Sequence, residues 1–118
     1  MELSTVKHVV ENNENLPSSI IFKCVDNAFI PESYIDHLKA KFKINYIQSL
    51  DYIVNLKNDI FSEYPKDTLF VYKTDILDNI NPIISEVNNL IIICHSVDKS
   101  ISDSYDKYIV TVPKLESW

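Results

Sequence analysis

Cys94-His95-Ser96, with Asp98 two residues further on, brings a thiol, an imidazole, a hydroxyl and a carboxylate together at the end of an apolar run. The carboxyl edge of a parallel sheet is where α/β sites gather, so this cluster has the right geography for chemistry. Its spacing argues against it. Neighbouring residues of a strand point to opposite faces, so Cys94 and His95 do not make a nucleophile and its base. No G-x-S-x-G elbow and no H-x-x-x-H spacing occurs anywhere in the chain. His8 and His37 fall on charged helical segments, and His95 reads as a strand-end histidine near solvent. A second arrangement uses carboxylates alone. Asp26, Asp75 and Asp98 each follow a strand, and gathered on one sheet edge they would form a phosphoacceptor or Mg²⁺ pocket of the receiver type. The spacing of these acids is irregular and neither of the last two expected strands, 90–95 and 108–112, ends in a lysine to complete the pocket. Solvated acidic loops explain the same residues, and the chain is not expected to be an enzyme or to hold a metal.

Composition narrows the possibilities further. The 118 residues include no Gly and no Arg, while 17 are Ile and 11 are Asn. Phosphate cradles and dinucleotide turns need glycine for close backbone approach, and bidentate phosphate forks need arginine. A P-loop NTPase, a Rossmann enzyme and an arginine-finger donor are thereby excluded, and no cofactor is expected. Where a nucleotide-binding domain would carry G-x-x-x-x-G-K-[ST], this chain has Val25-Asp26-Asn27-Ala28-Phe29-Ile30-Pro31-Glu32. A net charge of -6 also disfavours direct contact with nucleic acid, whose affinity comes largely from neutralised phosphates. No apolar stretch approaches the roughly 18 residues of a membrane span, and Met1-Glu2-Leu3-Ser4 lacks the start of a secretory signal, which points to the cytoplasm. Cys24 and Cys94, each inside an apolar run, read as buried reduced thiols.

The elements that would position any site alternate along the chain. Five β-branched or aromatic runs, at 19–25, 44–47, 68–73, 90–95 and 108–112, read as strands, and their near-continuous apolarity suits a sheet covered on both faces. Between them the helical spacings predict a helix from Pro31 to about Phe42, a second from Leu50 to Tyr64 with Ser49 as its N-cap and Pro65 as its stop, a third over 78–87 and a short one over 99–106. A further helix is expected over 5–12, and Asn88-Asn89 stands where glycine often ends a helix. This order implies one α/β domain over residues 1–118: three layers, a mainly parallel five-stranded sheet with helices on both faces, resembling a P-loop NTPase without the P-loop.

Several stretches, in order, resemble the N-terminal domain of the delta subunit of the bacterial DNA polymerase III clamp loader, an AAA+-type fold without a working ATP site. Val6 to Glu11 followed by Leu16-Pro17-Ser18-Ser19-Ile20-Ile21-Phe22 looks like the family's approach to its first strand. The segment Asp59-Ile60-Phe61-Ser62-Glu63-Tyr64-Pro65-Lys66-Asp67-Thr68-Leu69-Phe70-Val71-Tyr72-Lys73 resembles its helix ending in an aliphatic-Phe pair, a brief polar turn and an apolar strand, and Asn89 to Lys99 its next strand and loop. Tyr108 to Trp118 is similar to its last strand and the Trp that follows. At Asp26 to Glu32 the sequence departs from the family, which commonly has a glycine there.

The resemblance implies a non-catalytic protein-binding module of DNA replication that opens the ring-shaped sliding clamp by inserting Ile60 and Phe61 into an apolar pocket, with the clamp and other loader subunits as partners. A delta subunit continues beyond Trp118 into further domains, so the chain reads either as the N-terminal part of a longer protein or as a small free-standing one. Helical periodicity taken alone assigns Ile60 and Phe61 to the same apolar arc as Leu50, Ile53, Val54 and Tyr64, hence to the core. Their place in the last turn before Pro65 favours projection instead.

Overall fold

The computed structural model describes residues 20–24, 29–61 and 63–112. They form five strands, β1 (Ile20–Cys24), β2 (Lys43–Ile47), β3 (Thr68–Leu77), β4 (Leu90–Val97) and β5 (Ile109–Val112), and three α-helices, α1 (Phe29–Leu38), α2 (Asp51–Asn58) and α3 (Lys99–Ser104). Two 3-10 turns, Pro82–Glu86 and Asp106–Tyr108, complete the described elements. The expected helix over 5–12 lies outside the described residues.

All four strand pairings are parallel, in the order β2-β3-β4-β1-β5. From β1 the chain crosses two strand positions to the β2 edge, then returns through β3 and β4 and passes over β1 to β5. Because the direction of winding reverses, a constant crossover handedness requires the first connection to lie on the face opposite the later ones. The two cores show this arrangement. On one face Tyr34, Ile35 and Leu38 of α1 cover Ile20, Phe22, Leu69, Val71, Ile91, Ile93 and Val110. On the other, Ile53 of α2, Ile84, Val87 and Ile101 of α3 cover Ile21, Phe70, Leu90, Ile92 and Cys94. The fold is therefore a three-layer α/β domain, as the alternation implies, with every described strand parallel.

The strands fall within a few residues of their expected positions, although β3 and β4 run on to Leu77 and Val97. Three helical expectations are corrected. The segment 78–87 contains only the 3-10 turn at Pro82–Glu86. Leu77 pairs with Val97 whereas β4 starts at Leu90, so the return climbs seven strand residues, about 23 Å. A ten-residue α-helix rises about 15 Å, leaving no slack for the step out of the sheet and back. Extended chain is required. Asn89 ends this return at φ 58, the left-handed backbone foreseen for Asn88-Asn89. Its side-chain amide donates to the Lys66 carbonyl at 3.1 Å, and its own carbonyl accepts from the Phe70 N–H at 2.8 Å.

The second correction concerns α2, which stops at Asn58 instead of reaching Tyr64. Its start is shifted by one residue from expectation: the helix opens at Asp51 after Leu50, whose side chain makes no cap bond, while Ser49 Oγ still accepts the Asp51 N–H at 3.1 Å. Similarly, α1 ends at Leu38, four residues early. The Lys41 and Phe42 N–H groups both turn back to the Leu38 carbonyl before β2 begins.

Candidate functional site

The site is built around the early end of α2. In a parallel sheet every connection must carry the chain back to the amino edge, and here Lys43, opening β2, pairs with Thr68, opening β3. The residues just before Thr68 therefore sit at that edge. Ile53 holds α2 to the sheet with no exposed surface, and Leu50, Val54 and Leu56 are half-buried beside it. At Asp59 the backbone leaves the helix, at φ -75 and ψ 110. Asp59 Oδ1 accepts the Phe61 N–H at 2.9 Å, closing a small turn.

Beyond that turn Ile60 is 86% exposed and Phe61 92% exposed. This corrects the core placement that periodicity suggests: the apolar repeat continues in the sequence, but the helix that would fold it inward has ended. The chain then returns through Tyr64, whose ring lies 5.7 Å from that of Phe70, while Tyr52 of α2 lies 5.9 Å from the same ring. Phe70 thus packs against a ring from α2, before the tip, and against Tyr64, after it. Asp59, Glu63 and Lys66 around the pair are exposed; Ser62 lies outside the described residues. Beside the tip is a recess of about 330 Å³ lined by Lys57, Tyr64, Pro65, Val87 and Asn89 among others.

The carboxyl edge carries the residues that sequence reasoning considered for chemistry. Asp26 lies outside the described residues, so its distance from Asp75 and Asp98 is not part of the described structure. Asp75 is exposed on β3. Asp98 caps α3, its carboxylate accepting the Ser100 hydroxyl at 2.6 Å and the Ser100 N–H at 3.2 Å. Those bonds, the hydroxyl first, hold its carboxyl below the usual range. His95 is exposed, while Cys94 is buried in the opposite core. Its thiol donates to the Phe22 carbonyl at 3.6 Å, and burial pushes it up to about 11. Cys24, at the end of β1, is likewise buried and raised to about 11. Its side chain belongs to the other core, so the two thiols lie on opposite faces of the sheet. Among the described residues, no group of three or more His, Cys, Asp or Glu is placed to hold a metal ion. None of the described helices is long and apolar enough to cross a membrane.

Two features escaped the sequence reading. On the α1 face Lys73 ion-pairs with Glu32 and lies 5.3 Å from the centre of the Tyr46 ring, whose hydroxyl donates to Glu32 at 3.5 Å. Glu32 reads in the sequence only as a helix-start acid, because its partners come from two different strands. Near α3, Ile80, Pro82, Ile101, Tyr105 and Tyr108 border an open groove of about 520 Å³. The pair Tyr105 and Tyr108, three apart, is the trace of it in the sequence.

Fold and site together define an all-parallel α/β domain presenting an adjacent aliphatic and aromatic pair at the amino edge of its sheet. Compared with models of protein families, with curated proteins and with solved structures, the chain finds no match.

Proposed function

We propose that this domain is a non-catalytic, cytoplasmic protein-binding module of DNA replication, in which Ile60 and Phe61 anchor it in an apolar pocket of a ring-shaped sliding clamp, alongside other clamp-loader subunits. The observation that carries the reading is the near-complete exposure of both side chains, on a segment flanked by Tyr52 and Tyr64, whose rings both pack on Phe70. The partner is suggested by the resemblance of Asp59 to Thr68 to the clamp-binding segment of delta subunits. Adjacent large apolar groups inside a rim of exposed Asp59, Glu63 and Lys66 have the form of a small hot spot. Burying each contributes about 1.5 to 3 kcal/mol, so together they offset a useful part of the cost of association. The lack of Gly and Arg fits a module that handles no nucleotide.

The test is a titration of the domain against the sliding clamp of its source cell. The wild-type chain is expected to bind, and replacing both Ile60 and Phe61 by Ala should weaken binding by about a hundredfold or more. Wild-type binding unchanged in the double variant would refute the anchor. No binding to the clamp at all, or recovery of a signalling kinase from the cell in its place, would refute the replication reading.

A further inference from the structure

We infer that Asp59 is the positioning residue of the Ile60-Phe61 anchor, holding both side chains outward by taking a hydrogen bond that would otherwise extend α2. The functional half of this inference rests on the clamp-binding reading; the structural half stands without it.

The argument turns on one proton. In a continuing α-helix the Phe61 N–H would bond to the carbonyl four residues back, that of Lys57. Here it goes to Asp59 Oδ1 at 2.9 Å. The carboxylate of Asp59 and the carbonyl of Lys57 compete for the same donor. Short polar side chains are the ones able to win this contest, which is why aspartate is a poor residue inside helices and a good one at turns. The last turn of α2 is already tightening, since the Asp59 N–H reaches the Leu56 carbonyl, three back, at 3.4 Å.

The alternative state is written in the sequence. Seven residues separate Ile53 from Ile60, and at about 100° per residue a continued helix would set Ile60 about 20° from Ile53 and Phe61 about 80° from it. Ile53 has no exposed surface. Ile60 would then turn toward the sheet layer and Phe61 would lie at the margin of that face, between the directions of exposed Lys57 and half-buried Val54, so the two would no longer project together. With Asp59 at φ -75 and ψ 110 they instead leave the helix axis and stand in solvent. A backbone turn formed before binding has less freedom to lose on docking, so Asp59 acts on affinity without itself entering a pocket.

The test compares Asp59→Ala, which removes the acceptor and favours helix, with Asp59→Asn, which keeps a carbonyl oxygen in the same place. In the free protein, wild type and Asp59→Asn should show a protected Phe61 amide and non-helical carbon shifts at Ile60 and Phe61. In Asp59→Ala the shifts should turn helical through Phe61 and the Ile60 side chain should approach the sheet. Against the sliding clamp, Asp59→Ala should bind about three- to tenfold more weakly, with Asp59→Asn restoring wild-type affinity. Positions 60 and 61 that look the same in wild type and Asp59→Ala would overturn the inference. So would equal weakening by Ala and Asn, which would assign the effect to charge meeting the partner. If wild type does not bind the clamp, the functional reading fails, and the free-protein measurements still decide whether Asp59 positions the pair.

Discussion

The two edges of this sheet have opposite characters. At the carboxyl edge, where α/β domains usually hold small ligands, Asp98 caps α3 and the thiols of Cys24 and Cys94 are buried within the layers, while Asp75 and His95 stand exposed. At the amino edge, which usually serves only to join elements, Ile60 and Phe61 stand almost fully in solvent. An exposed apolar pair disfavours the isolated molecule in water, while a capped carboxylate and buried thiols do not. The contrast teaches that residues able to do chemistry and residues left exposed for contact need not coincide in a fold of this kind. Reactive side chains can be structural here, and the groups without reactivity can be the ones offered to a partner.

The sharpest way to break the comparison is to measure what the same apolar stripe contributes on either side of Asp59. Ile53 and Ile60 share one helical repeat in the sequence, yet Ile53 is fully buried and Ile60 is not. Ile53→Ala should destabilise the fold by about 2 to 5 kcal/mol through lost burial and a residual cavity. Replacing Ile60 and Phe61 together by Ala should change stability by no more than about 0.5 kcal/mol. Denaturant unfolding monitored by circular dichroism reads both. A large loss in the double variant would place the pair in the core and erase the difference between the edges.

A smaller effect tests whether the carboxyl edge is closed. Burial raises both thiols from an ordinary 9.0 to about 11, so at pH 8 each carries about a hundredfold less thiolate than a free cysteine. Alkylation should be slower by at least that factor in the folded protein and normal in denaturant. A Cys24 that reacts at the free rate would mean that the end of β1 is open. The sign of the pH dependence follows from the same shift. The folded state keeps protons that the unfolded chain releases, so stability should fall as pH rises from 9 to 11. Cys24→Ala with Cys94→Ala should flatten that part of the profile.

How much of this could be read beforehand depends on whether a feature is local. The strands were legible because runs such as Leu90-Ile91-Ile92-Ile93 are apolar on both faces, which only a covered sheet accommodates. The end of α2 was not, because periodicity records where side chains would lie if the helix continued and is blind to one carboxylate intercepting one N–H. The 78–87 segment failed for a long-range reason: the length of its return is set by pairings of β3 with β4 that no local pattern contains. For the candidate site, the resemblance drew attention to Ile60 and Phe61, whereas their exposure needed the fold. Asp59 was visible only as part of a polar rim.

The smallest effect concerns the cap of α3, and it separates a structural carboxylate from a ligand-binding one. Asp98 is exposed, and its carboxyl lies below the ordinary value of 3.8 chiefly because the Ser100 hydroxyl, then the Ser100 and Lys99 N–H groups, bond to the charged form. A carboxyl depressed in the folded state contributes stability above its unfolded value, and that contribution is lost as pH falls through the folded one. Helix α3 should therefore keep its cap as acid is added past 3.8 and fray only below it. Side-chain carbon shifts of Asp98 followed by NMR should show a midpoint under 3.8, and Ser100→Ala should move that midpoint upward by removing the largest contributor. Asp98→Ala should speed amide exchange within α3 and, on the proposed clamp-binding reading, leave clamp affinity unchanged, since the cap lies on the edge opposite Ile60 and Phe61. A midpoint at or above 3.8 would mean that the carboxylate is not held by this turn, and a loss of clamp binding in Asp98→Ala would show the two edges to be coupled.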